Sequence, residues 1–402
     1  MDALTRWPPA RDSNAGHPRM EPQIWGYMCC MSSTPLASDS DTGFQWSADT
    51  PRPRFGVWAP VWGPFAAQQY PGDGFDASWE LNKKYVVEAE RLGFDSTLVA
   101  QHTINPNGDE FGELEAWTGA AALAAVTSRI EIISAIKPYL FHPVVLAKMA
   151  SQIEEISGGR FAINLVNAWY KPELEKAGIT FAEHDERYAY GAEWLSIVSR
   201  LIAGERVSHE GKYFTIDDYA LTPSGQFNGR PRIYVGGESE PARDLAAAQA
   251  DVWFVNGQPI DVVRDLLQSV STRSRSGPPV RFGLSAFVIA RETEQEAQDE
   301  LAHFWELAAL DAPRAEKLFA DADEKAVMFQ TFQRFPAIGT NGGTAAGLVG
   351  TYDQVADRLV QFHDLGIELF MLQFQPAQRE MTRFAEQVFP RVQARLVDRS
   401  AL

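Results

Sequence analysis

Gly158-Gly159-Arg160-Phe161-Ala162-Ile163-Asn164-Leu165-Val166-Asn167-Ala168-Trp169-Tyr170, followed by His184-Asp185-Glu186-Arg187-Tyr188, is where the chain says most about its fold. Phe161 to Val166 is a short apolar run between a Gly-Gly turn and a polar, aromatic loop. Such a run reads as a strand buried on both faces, as in parallel sheets. The loop after it is long and ends at the start of a helix. There, Arg187, Tyr188 and the free helix N–H groups form a set suited to a phosphate. The same residues would also serve to pack a loop onto its helix.

Outward from this strand the pattern repeats. Phe55–Ala59, Ser96–Ala100, Ile130–Ala135, Arg232–Val235, Val252–Val255, Arg281–Ala290 and Leu369–Gln373 read as further strands. Helices are expected near 77–92, 115–127, 144–157, 184–203, 241–249, 259–274 and 352–365. In the third of these, Val145, Met149, Ile153 and Ile156 share one face. Strands and helices in this alternation predict a (β/α)8 TIM barrel. Two insertions interrupt it. Val207–Asp218 reads as a hairpin. Residues 305–348 begin helical and end in Gly339-Thr340-Asn341-Gly342-Gly343-Thr344, a Gly-rich candidate for a lid before the last helix, or else an idle surface loop.

The chain has 402 residues, enough for one barrel-sized domain, expected over 51–402. Lys plus Arg number 36 against 53 Asp plus Glu, a formal charge of −17, which argues against nucleic acid or anionic membranes as partners. The two cysteines, Cys29 and Cys30, are adjacent and fit neither a disulfide framework nor a zinc site, which points to a reducing cytoplasm. No apolar run reaches membrane-spanning length. Residues 1–50 are rich in Pro, Ser, Asp and Gly and lack a signal-peptide core. They read as a disordered tail or an over-long start assignment.

In a barrel of this kind the site lies at the carboxyl ends of the strands. Pro60-Val61-Trp62, Gln101-His102-Thr103, Lys137-Pro138-Tyr139 with His142, Asn167-Ala168-Trp169-Tyr170, Gly236-Gly237-Glu238-Ser239 and Asn256-Gly257-Gln258 follow successive strands. The set is aromatic and amide-rich. It lacks the paired acids of glycosidases, the Gly-x-Ser-x-Gly elbow of acyl hydrolases and a dinucleotide fingerprint. His102 and His142 have no acid or thiol at ligand spacing, so no metal is expected. Flat aromatic and amide surroundings suit a flavin. The Gly236–Ser239 turn leaves a strand and opens a helix, as barrel phosphate sites do, though ordinary turns do the same.

The wording "SGGRFAINLVNAWYKPELEKAGITFAEHDERY" resembles the bacterial-luciferase-like flavin monooxygenases, and the likeness runs from Phe55 to about Val397. Within that group the chain is most similar to the dimethylsulfone monooxygenases, then to the alkanesulfonate and pyrimidine-ring-opening enzymes. The resemblance implies reduced FMN delivered by a separate NAD(P)H:flavin reductase, O2 as co-substrate, and a homodimer or homotetramer. It implies flavin contacts at Trp58, Ala135, Asn167, Arg187, Tyr188, Gly237, Glu238 and Ser239. His102, His142, Asn167 and Asn256 are the catalytic candidates, as donors to a developing oxyanion. His142, before a Pro at a helix start, is expected to be a neutral donor.

One departure bears on the phosphate and two on the substrate. Glu238 replaces a Ser of the family's Gly-Gly-Ser-Ser turn, which suits a phosphate only if its carboxylate points away. Ser285, Phe287 and Asn341 stand where alkanesulfonate enzymes carry cations, which predicts a small neutral organosulfur substrate such as a dialkyl sulfone. A pyrimidine- or amide-cleaving enzyme, an alkanesulfonate monooxygenase, a flavin-binding protein without turnover and a deazaflavin dehydrogenase remain the alternatives.

Overall fold

The computed structural model describes residues 44–46, 51–63, 66–73, 76–222 and 231–400. The strands are β1 Arg54–Trp58, β2 Ser96–Val99, β3 Glu131–Ile136, β4 Phe161–Leu165, β5 Val207–Glu210, β6 Thr215–Tyr219, β7 Arg232–Gly236, β8 Val252–Asn256, β9 Arg281–Phe287, β10 Ile289–Arg291, β11 Val349–Thr351 and β12 Ile367–Gln373. The helices are α1 Trp79–Arg91, α2 Ala116–Val126, α3 Pro143–Ser157, α4 Lys171–Lys176, α5 His184–Ile202, α6 Glu240–Gln249, α7 Ile260–Ser271, α8 Glu294–Leu310, α9 Ala312–Asp321, α10 Val327–Arg334, α11 Tyr352–Asp364, α12 Ala377–Gln387 and α13 Phe389–Ser400.

Eight strands close into a parallel barrel in the order β1-β12-β9-β8-β7-β4-β3-β2. This is the predicted (β/α)8 architecture, and β5–β6 form the predicted antiparallel hairpin. β3 and β4 are buried at every position, so each reads as continuous apolar sequence rather than as alternation. Inside the barrel, Leu98, Ile133, Ala162, Tyr234, Phe254, Leu369 and Met371 fill the lumen. At its amino end Glu131 gathers Arg54 at 2.6 Å, Arg232 at 2.5 Å and the Tyr234 hydroxyl at 2.9 Å. That network closes the floor and leaves the carboxyl ends for the site.

Local signals set the helix ends. α8 and α11 start with full capping boxes, Thr293 with Glu296 and Thr351 with Gln354. α3 stops at Gly158, whose φ of 65° favours glycine.

The structure corrects four expectations. On α3, Val145 and Ile156 are 52% and 44% exposed. The buried face is Leu146, Ala147, Ala150 and Ile153, because small residues let the helix lie close on the strands. The seventh strand does not run to Ala290: β9 ends at Phe287, and β10 leaves the barrel to pair with β11. The proposed tail is too long at its C-terminal end. Phe44 lies 5.7 Å from Phe389 and Trp46 stacks 5.6 Å from Phe55. The rest of that call, Cys29 and Cys30 included, falls outside the described residues.

The fourth correction concerns the lid. The Gly-rich end of the insertion is fixed rather than loose. Gly257 N–H donates to Asn341 O at 2.9 Å, and Gln373 exchanges bonds of 3.0 and 3.1 Å with the Thr340 backbone. Gly342, with φ 84°, sits so close to the Gly257 backbone that a Cβ would collide with it. The covering part is α9 and α10 instead. Among the described residues no helix is long and apolar enough to cross a membrane.

Candidate active site

A cavity of about 530 Å³ opens at the carboxyl ends of the barrel strands, roofed by α8–α10. That volume falls in the range of about 300–1,000 Å³ usual for small-molecule and cofactor sites. Trp58, His102, Ala135, Asn167, Arg187, Tyr188, Gly237, Glu238, Ser239 and Asn256 all line it. The roof helices contribute the apolar side chains Trp305, Leu318, Phe319, Met328 and Phe332 to the cavity wall.

His142 does not reach this cavity. It is exposed at the start of α3, where Nδ1 accepts from the Val144 N–H at 3.4 Å. The loop after β3 turns away before reaching it, so His142 is a helix cap and leaves the catalytic set. Phe287 also misses the wall: it is fully buried and meets Phe304 edge-on at 5.4 Å. Ser285 and Asn341 do face the cavity, and Ser285 accepts from Trp58 Nε1 at 3.2 Å.

At one end of the cavity, polar atoms stand buried without partners. They are both side-chain atoms of Asn167 and the Asn164 Oδ1, with the Ser239 Oγ beside the Tyr188 phenol. Buried polar groups are normally satisfied, so a cluster of exceptions needs a ligand or strain to account for it. Ala168 adds the second: its φ of 39° is unusual for a residue with a Cβ and turns the chain just after Asn167. Gly237, with φ 109°, approaches so closely that a Cβ would lie 2.8 Å from the Tyr188 hydroxyl. Ser239 caps α6 by position, but its hydroxyl accepts no bond from the helix N–H groups and instead meets the Tyr188 phenol. Backbone, hydroxyls and amides here fit a hydrogen-bonding anion.

Of the two charged residues here, Arg187 departs from the sequence expectation, while Glu238 points away from the turn as a phosphate there would require. Arg187 is only 2% exposed, and its guanidinium is paired with Asp323 from the lid. It also donates to Ala182 O at 2.7 Å and Asn167 O at 3.3 Å, and lies 4.1 Å over the Phe181 ring. Arg187 is therefore a buried tie between α5, the β4 loop and the lid, not a free cation at a loop end. Asp323 N–H in turn donates to Trp169 O at 2.8 Å. Glu238 turns away from the turn's backbone: its carboxylate accepts from Asn256 N–H at 2.6 Å and from Gln258 Nε2 at 3.0 Å. Burial, opposed by those bonds, still pushes its carboxyl up to about 7.

A second part of the wall carries His102, buried against Trp169 at 5.5 Å and beside Lys137 and Glu173. Burial and then the Lys137 charge push the imidazole down to about 4, so it is neutral at pH 7. Glu173 was missed by sequence reasoning. It sits in the polar run Lys171–Lys176, which carries no motif. The available hint was Lys137, a cation directly after a fully buried strand, which demands a carboxylate partner.

The family model for luciferase-like monooxygenases matches residues 54–369. The chain belongs to the luciferase-like monooxygenase family. This monooxygenase is 31% identical over 324 residues to an FMNH(2)-dependent dimethylsulfone monooxygenase of Pseudomonas fluorescens (strain Pf0-1), covering 78% of this chain and 87% of that one. Among solved structures, the long-chain alkane monooxygenase LadA superposes with a TM-score of 0.70 at 20% identity, covering 86% of this chain and 92% of LadA. DmoA from Hyphomicrobium sulfonivorans superposes with a TM-score of 0.69 at 18% identity, covering 86% and 88%. At those identities the structural likeness speaks for the shared barrel.

Proposed function

We propose that this monooxygenase takes reduced FMN from a separate NAD(P)H:flavin reductase and uses O2 to oxygenate a small neutral organosulfur compound, a dialkyl sulfone being the first to test. The observation that carries the reading is the charge state of the cavity wall. Its deep cations, Lys137 and Arg187, are each already paired, with Glu173 and Asp323. Two more cations, Arg314 and the exposed Lys325, line the cavity from the lid side, Arg314 3.6 Å from Asp311. Beside the deep pairs a substrate meets apolar side chains, neutral amide and hydroxyl. The similarity to FMNH(2)-dependent dimethylsulfone monooxygenases supports the same class.

Reduced FMN, when bound, supplies the electrons that activate O2. The backbone around Gly237, with Ser239 and Tyr188, would hold its phosphate, and the unpaired amide of Asn167 would meet a polar edge. Trp58 and Ala135 offer apolar contact. His102 and Asn256 would donate to the oxygen that gains charge. A cytoplasmic setting fits the cysteine usage. A homodimer or homotetramer would cover apolar side chains now exposed on α1–α3, Val87, Val126, Val145 and Ile156, and sedimentation tests it.

The deciding assay compares dimethylsulfone with methanesulfonate, each with reductase and FMN. An anion held deep in the pocket, where Lys137 and Arg187 are already paired, loses several kcal/mol of solvation. A preference for the sulfone of at least about 10²-fold in kcat/KM is expected. FMN should outperform FAD, and the chain alone should not oxidise NADPH. Preference for methanesulfonate, turnover of uracil in place of sulfones, or turnover without flavin would each overturn the reading.

A further inference from the structure

The pair behind His102 is built with more care than packing requires. Lys137 ends the loop side of β3 and Glu173 stands in the first turn of α4, and they are 1% and 2% exposed. Glu173 Oε1 accepts from Thr103, the residue after His102, through its N–H at 2.6 Å and its hydroxyl at 3.2 Å. Glu173 Oε2 takes the Lys137 ammonium, whose Nζ also lies 2.9 Å from His102 Nδ1. The Lys137 backbone N–H donates to Gln101 Oε1 at 2.7 Å, the residue before His102. The histidine is thus held through both neighbours and its own ring.

An ammonium has three donors and no lone pair, so a ring nitrogen within hydrogen-bond distance of it must accept. The imidazole proton is then on Nε2, which has no protein partner among the described residues, in a ring that lines the cavity. We propose that Lys137 and Glu173 are positioning residues that lock His102 as the neutral Nε2–H tautomer and so present a fixed hydrogen-bond donor at the cavity wall. What that donor meets rests on the flavin-monooxygenase reading above. The tautomer rests on the 2.9 Å contact of Nδ1 with the ammonium, which is shorter than the 3.4 Å from Nδ1 to Glu173 Oε2.

The surroundings of His102 agree. A third acid, Glu113, approaches from the loop before α2 with both carboxyl oxygens buried and unpartnered, and burial pushes it up to about 9. It is therefore protonated at pH 7, and the cluster holds one cation and one anion. Trp62 and the Tyr170 phenol ring flank the imidazole at 6.1 and 6.4 Å. The other charged or titratable groups of the wall, His184, Arg187, Glu238, Asp311, Arg314, Asp323 and Lys325, make no hydrogen bond to it.

The test is nitrogen NMR of ¹⁵N-histidine-labelled, flavin-free protein, with His102→Gln assigning the resonance, alongside steady-state kinetics. In the parent protein the His102 Nε2 should be protonated and Nδ1 not, without titration between pH 5.5 and 8.5. In Lys137→Met the ring should show mixed tautomers and titrate near the unperturbed value of about 6.5. There kcat should fall on the order of 10²-fold, while KM and flavin affinity stay within about twofold, as for loss of an aligned donor. Its kcat should also gain an acid limb that the parent lacks. If Glu173 left unpaired prevents folding, Lys137→Met combined with Glu173→Leu carries the tautomer and kcat readouts, while burial keeps that ring neutral across the same pH range. An Nδ1–H tautomer in the parent, an unchanged ring in the variants, or a KM effect without a kcat effect would overturn the proposal. Absence of flavin turnover in the parent would sink the functional reading and leave the NMR result standing.

Discussion

The two ends of one cavity are built on opposite plans. Around His102 the charged atoms find partners inside the protein: Lys137 with Glu173, and Glu173 with Thr103. Around Asn164 and Asn167, side-chain amide atoms are buried with none. The first arrangement fixes a geometry before anything binds, which is what a group acting on developing charge requires. The second leaves donors and acceptors whose desolvation is uncompensated, at about 1–3 kcal/mol each, until a ligand supplies the bonds. Apart from Glu113, whose buried carboxyl is unpartnered, the surroundings of His102 are bonded within the protein, while the amides of Asn164 and Asn167 are left for a ligand. Arg187 belongs by position to the binding end and by bonding to the other plan, which makes it the sharpest place to test the contrast.

The largest effect is expected there. Arg187→Ala strands Asp323 beneath the lid and removes ties to Ala182 and Asn167. Breaking one side of a buried pair typically costs about 3–5 kcal/mol. The urea midpoint should fall accordingly at constant m. Asp323→Asn should cost less, because a neutral amide still accepts from the guanidinium. If Arg187→Ala keeps its stability and loses only flavin affinity, the guanidinium is a free phosphate ligand and the contrast between the ends fails.

Glu238 gives the next effect, read against pH. Its carboxyl is raised from 4.5 in the unfolded chain to about 7 in the native state. The native protein therefore keeps a proton that the unfolded chain has released. Stability falls as pH rises from about 4.5 to about 7 and levels off above, a loss of roughly 3 kcal/mol from this group. Glu154, raised to about 7, has the same sign, so only the difference between the parent and Glu238→Gln isolates the effect. The Gln variant should lose that share of the slope in denaturant titrations at pH 5, 6, 7 and 8. Parallel profiles for the two proteins would place the Glu238 carboxylate in water.

What the sequence made legible follows from range. Buried runs such as Phe161–Leu165, capping residues such as Thr293 and Thr351, and the Gly236-Gly237 turn act within a few residues, so the barrel and the mouth of its site could be read. The binding-end residues followed the strands closely enough to be placed. The pairs that give charges their meaning were not legible. Lys137 meets His102 and Glu173 across 35 and 36 residues, and Arg187 meets Asp323 across 136. Only closure of the barrel and docking of the lid bring them together. Direction was the other blind spot. α3 carries two apolar stripes, and only packing chooses between them. The resemblance to alkanesulfonate enzymes placed Phe287 with Ser285 at the substrate, whereas the chain buries it against Phe304 of α8.

The smallest effect tests the contrast most directly, because it moves two quantities in opposite directions. Asn167 Nδ2 and Oδ1 are buried without partners, and Oδ1 sits where a Cβ at Gly191 would collide, so the side chain is confined. Asn167→Leu keeps a similar volume and removes both unmet groups. In the flavin-free protein nothing is lost, and relief of desolvation should leave stability unchanged or raise it by about 1 kcal/mol. With ligand the sign reverses: a hydrogen bond of about 1–1.5 kcal/mol disappears, and reduced-FMN affinity should drop about tenfold. Both are measurable on one preparation, by urea denaturation and by anaerobic flavin titration. A structural role for Asn167 would lower stability and leave affinity alone. A drop in both would mean that the amide is bonded within the protein, and that the binding end is organised like the chemical one.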